Sequence, residues 1–166
     1  MNSGPPVIVT VREPAAASAE ELSAFRQFVL EGGEVNPQTL PGLVLRALSL
    51  ALARVGEELV AVGAIKRPNP GYRAGVFAKA QVPQNPSRFE FELGWIYVRP
   101  SARGKGVASV LVGELASSLN SAPAYATSRV NNERMHAALK RFGFQPVGSP
   151  YPSQRNEPDI QLFLRE

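Results

Sequence analysis

The apolar positions between residues 89 and 97 recur every second residue: Phe89, Phe91, Leu93, Trp95 and Tyr97 alternate with Glu90, Glu92, Gly94 and Ile96. This period predicts a strand to Val98 with one face buried throughout. Its second face starts polar and ends apolar at Ile96 and Val98, so it opens to water or a cleft at its start and is covered at its end. Strands of this kind border pockets. Downstream the period changes to that of a helix: Val107, Val110, Leu111, Leu115 and Leu119 share a face to about Asn120, and Met135, Ala138, Leu139 and Phe142 share another that ends at Gly143. Asn131 or Asn132 caps the second of these helices.

Upstream, "VIVTV" at 7 to 11 predicts a strand, and "SAEELSAFRQFVLEGG" predicts a helix capped by Ser18, with Glu21 three residues later. A second helical piece is expected at about 36 to 47, with Asn36 as cap and Pro37 at its first position. "LSLALARV" and "LVAVGAIK" read as a hairpin turning through Gly56, Glu57 and Glu58. Four prolines and two glycines between Pro68 and Ser87 predict a long loop that could border a substrate. "AYATSRV", "FQPVG" and "IQLFLR" predict the last strands. The order is mixed α/β with hairpins, so a mixed sheet in a single domain spanning residues 1 to 166 is expected.

Composition narrows the chemistry. The chain has no cysteine and one histidine, His136, which shares the polar side of its helix with Lys140 and reads as a solvated surface residue. Disulfides and thiolate nucleophiles are excluded, and no metal site is expected. Arg46 and Arg54 interrupt the most apolar stretch and no basic leader opens the chain, which predicts a cytoplasmic protein with no membrane span. The net charge of +4 favours an anionic ligand. Lys66, Arg67, Arg73, Lys79 and Arg88 follow one another with no acid between them, which fits either a solvated basic loop or a basic lip over an anion.

The stretch "VRPSARGKGVA" at 98 to 108 concentrates glycine and positive charge where a strand should hand over to a helix. A helix start carries four unpaired N–H groups and the positive end of its dipole, and glycine lets an anion approach without meeting a Cβ. A Walker phosphate loop would need glycine at Arg99 and Ser or Thr at Gly106, and a dinucleotide fingerprint lacks its third glycine and its opening βαβ unit.

"RGKGVA" resembles the Arg/Gln-x-x-Gly-x-Gly/Ala signature of the GCN5-related N-acetyltransferases, with Arg103, Gly106 and Ala108 at the defining positions. "ELGWIYVRP" before it resembles the family's strand ending in Val-x-Pro, and "NNERMHAALKRFGF" its Asn-led helix ending in Gly-Phe, so the likeness covers about residues 88 to 148. It implies a GNAT-like fold with a central, mostly antiparallel mixed sheet flanked by helices, and acetyl-CoA as acyl donor. On this resemblance the backbone of Ile96, Tyr97 and Val98 would pair with the pantetheine arm. The amides of Arg103, Gly104, Lys105, Gly106, Val107 and Ala108 would hold the pyrophosphate, and Asn132 would touch the cofactor from the other side.

The implied reaction is direct transfer of an acetyl group to a primary amine in a ternary complex. The amide of Tyr97 or Val98 would polarise the carbonyl, and Glu92, with Glu90 farther out, would accept the amine's proton. Many members place a tyrosine four residues before the helix-ending glycine to protonate the thiolate; here that position is Leu139. Tyr97, Tyr125 and Tyr151 are the candidate substitutes, the first two also suiting a core. The acceptor is expected to be a small metabolite amine, with an anionic group on it or attached to it. Aminoacyl-tRNA is the alternative, and a non-catalytic acetyl-CoA-binding module is the rival from another class. A buried edge strand near the C-terminus would allow a homodimer.

Overall fold

The computed structural model describes residues 5 to 33, 35 to 153 and 156 to 166. Seven strands form one sheet: β1 (Val7–Arg12), β2 (Ser49–Val55), β3 (Glu58–Lys66), β4 (Phe91–Val98), β5 (Ala124–Arg129), β6 (Gln145–Tyr151) and β7 (Ile160–Arg165). They lie in the order β1-β2-β3-β4-β5-β7-β6, antiparallel throughout except for the parallel pair β4 and β5. Helices α4 (Val107–Ser118) and α5 (Glu133–Arg141) cover one face, where Leu111, Leu115 and Leu139 meet Ala51, Ala61 and Ala126. The other face carries α1 (Ala19–Glu31), α2 (Leu40–Arg46) and α3 (Pro70–Ala80). The mixed, mostly antiparallel sheet flanked by helices is the expected fold class.

Local chemistry explains most boundaries. Ser18 and Glu21 close a reciprocal capping box on α1, with Ser18 Oγ accepting from the Glu21 amide at 3.0 Å. The expected helix from Asn36 is shorter: Asn36 Oδ1 accepts from the Gln38 amide in a local turn, and helix begins only at Leu40.

Residues 70 to 80, expected as loop, form α3. Pro70 sits at a first helical position, where its missing N–H costs nothing, and Asn69 Oδ1 caps the Gly71 amide at 2.9 Å. The two glycines lower helix propensity, but Val76, Phe77 and Ala80 bury one face against Tyr125, Tyr151, Leu162 and Leu164. The C-terminal edge strand β6, expected to be buried, is mostly exposed and carries Pro146 and Pro150, which blunt an edge against pairing.

The strict alternation expected along β4 also fails. Val62 pairs with Tyr97 and Ala64 with Gly94, so Trp95 and Ile96 together oppose Gly63. This is a β-bulge with Trp95 at φ 54°, and it reverses which face each later residue occupies. Phe91 and Leu93 pack on the α4 side, and after the bulge Ile96 and Val98 do so, while Trp95 and Tyr97 turn toward α1. Gly63 lies beneath it, and a Cβ there would stand 2.5 Å from Ile96 Cδ1, so that the isoleucine would have to shift.

Candidate functional site

Strands β4 and β5 pair only at Phe91 with Ala124 and Glu92 with Tyr125. Beyond these rows they part, and the edge of β4 from Leu93 to Val98 keeps no strand partner on that side. The gap holds a cavity of about 560 Å³ between β4, β5, the end of α1, Lys66 and Tyr72. A second cavity of about 690 Å³ continues over Tyr97 and Val98 to the loop before α4 and the side of α5. Ile96, Tyr97, Arg103, Asn132 and Met135 line both, so the two form one cleft beside β4.

One end of the cleft suits an anion. The amides of residues 104 to 109 donate to no acceptor among the described residues, and the first amide to close a helical bond is that of Val110, onto Gly106 O. No side chain caps this helix. Gly104 and Gly106 have φ of 78° and 77°, the left-handed region that glycine adopts without strain, and they turn the amides outward together. Val107 is buried below them and Ala108 lines the cavity. Arg103 lines it too, with Nε donating to Val98 O at 2.9 Å and the guanidinium 5.7 Å from the Tyr97 ring. Lys105 is exposed and lines neither cavity. Asn132 faces the loop from across the cleft, its Oδ1 accepting from the Met135 amide at 3.2 Å to cap α5. Sequence reasoning missed Arg134 and Arg141, which add two cations from α5; their spacing of seven residues, two helical turns, was the available signal.

The other end is built around Glu92. Its side chain is only 3% exposed, and Lys66 Nζ lies 2.7 Å from Oε1 in a close charge contact that lacks hydrogen-bond alignment. Of the two surroundings expected for this face, water or a cleft, Glu92 has the cleft: it lines the cavity, and β3 places Lys66 directly opposite it and covers it. Glu90 is exposed, precedes β4 and lines neither cavity. Three tyrosines share the Glu92 side of the sheet. Tyr125 is fully buried, its hydroxyl has no hydrogen-bond partner among the described residues, and its pKa is raised by burial and then by the Glu92 charge. Tyr151 is pushed up to about 12 by burial and then by Glu92. Tyr72 lines the cavity with about half of its surface exposed, and it is held above the usual phenol range chiefly by the Glu92 charge. Tyr72 escaped sequence reasoning because its segment read as loop. Leu139 is buried at the cavity wall and brings no hydroxyl.

The basic segment divides between the two readings: Arg67, Lys79 and Arg88 are exposed, as a solvated face would be, and Lys66 lies at the cleft. Lys66 is the member of the five that lines the cleft, Arg67 lies over the Phe91 ring, Arg88 pairs with Glu166 at 3.4 Å, and Arg73 is buried. His136 is not simply solvated: Nε2 lies 2.9 Å from Arg129 O and its ring packs edge-on against Phe163. Among the described residues no group of three His, Cys, Asp or Glu side chains could hold a metal ion, and no helix is long and apolar enough to cross a membrane.

The model of the acetyltransferase (GNAT) family matches residues 21 to 144. The chain belongs to this family. Among solved structures, Escherichia coli ElaA aligns over 97% of this chain and 100% of its own with a TM-score of 0.69 at 18% identity. An acyl-CoA N-acyltransferase from Pseudomonas aeruginosa aligns over the same shares with a TM-score of 0.68 at 18% identity. At such identities the likeness establishes the GNAT fold. An uncharacterized protein of Mycobacterium leprae is 38% identical over 79 residues, which is 47% of this chain and 22% of that protein. The chain thus matches about a fifth of that relative's length.

Proposed function

We propose that this GNAT protein is an N-acetyltransferase that binds acetyl-CoA in the cleft beside β4 and passes the acetyl group directly to a primary amine. The observation that carries the reading is the unpaired run of amides at 104 to 109, joined by a continuous cleft to a buried carboxylate. The amides and Arg103, Arg134 and Arg141 fit a pyrophosphate, and the unpaired edge of Ile96, Tyr97 and Val98 fits the amide-bearing arm. For Val98 to accept from that arm, Arg103 releases its carbonyl. The amide of Tyr97, just past the bulge, polarises the acetyl carbonyl. Glu92 takes the proton of the attacking amine, the nitrogen–carbon bond forms, and the carbon–sulfur bond breaks so that the thiolate departs with its electron pair. Glu90 has no part in this scheme.

Tyr72 lines the cavity and can protonate the leaving thiolate: its hydroxyl carries a proton in the working range, and the Glu92 charge that chiefly holds its pKa up is neutralised once Glu92 has taken the amine's proton. Tyr72→Phe is expected to lower kcat by roughly 10- to 100-fold, at or below the low end for general acids, because a thiolate with a pKa of about 8 to 9 leaves tolerably well unaided. The buried Leu139 favours one other reading, an acetyl-CoA-binding module without turnover. Calorimetric titration with acetyl-CoA tests the shared premise: micromolar binding is expected, and no binding would overturn both readings. Turnover of a primary amine then decides between them.

A further inference from the structure

A primary amine approaching Glu92 enters a place already held by a cation. Lys66 Nζ lies 2.7 Å from Glu92 Oε1, with the lysine side chain 21% exposed and the carboxylate side chain 3%. Both line the cavity of about 560 Å³. The ammonium also rests 5.0 Å from the centre of the Trp95 ring. Its stem crosses Gly94 closely: a Cβ there would stand 3.1 Å from Lys66 Cδ and would press on the stem.

Enclosed ion pairs are costly to leave half made. An amine carrying only positive charge would take Glu92 and drive the Lys66 ammonium out toward water, away from its partner and from the Trp95 ring. A ligand with an ammonium and a carboxylate exchanges one pair for two, so that no charge is stranded. We propose that the acceptor is an amino acid, with amine and free carboxylate one or two carbons apart, and that Lys66 is the residue that recognises its carboxylate. The short spacing follows from the direct contact of Lys66 and Glu92, which need part only by the thickness of such a ligand. This inference rests on the reading of the cleft as an acetyl-transfer site and names the acceptor class for it.

Arg73 points the same way. It is nine-tenths buried, its Nε has no hydrogen-bond partner among the described residues, and its charge acts on the Tyr125 hydroxyl together with that of Glu92. Arg73 thus adds a second cation on the Glu92 side of the sheet. Arg73 does not line the cavity, so the contact falls to Lys66. The assignment separates acceptor classes, because an aminoacyl-tRNA has its carboxylate esterified and a polyamine has none.

Trp95 is the sole tryptophan of the chain and reports when Lys66 leaves its ring. The full chain is titrated with the twenty free amino acids, each beside its α-amide and its decarboxylated amine, by tryptophan fluorescence and by acetylation with acetyl-CoA. At least one free amino acid is expected to change the fluorescence and to be acetylated, with its amide and its amine weaker by roughly thirtyfold or more. In Lys66→Met, which keeps the stem, that preference falls to near unity and the decarboxylated amine binds better than it does to the wild type. An amide or amine that matches its acid, a panel in which no amino acid binds, or a preference that survives Lys66→Met would overturn the proposal. Calorimetry keeps the failures apart: acetyl-CoA binding without carboxylate preference sinks this inference alone, and absence of acetyl-CoA binding sinks the reading beneath it.

Discussion

Replacing Glu92 by glutamine is expected to lower kcat by about 10²- to 10⁴-fold near neutral pH, the range a general base supplies. Glutamine keeps the shape of the side chain and removes its ability to take a proton. The loss should be deepest at low pH and should shrink as pH rises, because the neutral fraction of the acceptor amine grows about tenfold per pH unit below its own pKa and less depends on a base. The substitution also strands Lys66, whose ammonium lies 2.7 Å from Glu92. Breaking a fully enclosed pair costs about 3 to 5 kcal/mol, but a lysine that already touches water can turn its ammonium outward, so the loss of stability should be smaller. A melting curve and an acetyl-CoA titration on the variant separate the two effects. If the variant melts near the wild type, binds acetyl-CoA as tightly and turns over at wild-type rates at every pH, Glu92 has no part in the chemistry.

The second large effect is expected at the other end of the cleft. Gly106→Glu should abolish measurable acetyl-CoA binding, a loss of roughly 100-fold or more, because it sets a carboxylate among amides that otherwise face an anion. The fold should survive. A Cβ at Gly106 would meet nothing within 4 Å, and a negative charge beside the start of α4 is favourable by about 0.3 to 1 kcal/mol. Against this stands the left-handed backbone, φ 77°, which costs a non-glycine residue about 1 to 2 kcal/mol. Gly106→Ala carries the same backbone cost without the charge, so the difference in calorimetric affinity between the two variants isolates charge and bulk. Equal affinities in wild type and Gly106→Glu would move the anion site away from this loop.

The two ends differ in how far the chain alone reveals them. The anion end is local: Arg103, Gly104 and Gly106 stand together in "RGKGVA", and the unpaired amides follow from the turn those residues make. The carboxylate end is assembled from distant segments. Lys66 meets Glu92 only because β3 pairs with β4 in that register, and Tyr72 arrives on a helix whose proline and glycines imitate a loop. The bulge escaped notice for another reason. Trp95 and Ile96 are both apolar, so a shift of one residue changed faces without disturbing the alternation that a reader counts. Hairpin β2 to β3, the Ser18 cap and the two amphipathic helices flanking the last parted strand were legible because each depends on neighbours a few residues away.

That the anion end consists of main-chain groups has a consequence for how such a protein can change. Main-chain amides are the same whatever the side chains, so the loop can lose or gain charges such as the exposed Lys105 and still present the same donors, provided glycine remains where the backbone turns left-handed. The carboxylate end has no such protection: it is written in side chains, with Lys66, Tyr72 and Glu92 drawn from three different elements. Inheritance can therefore hold one half of the cleft constant while rewriting the other one residue at a time. Exchanging α3 alone would hand the same amide loop a new neighbour for Glu92.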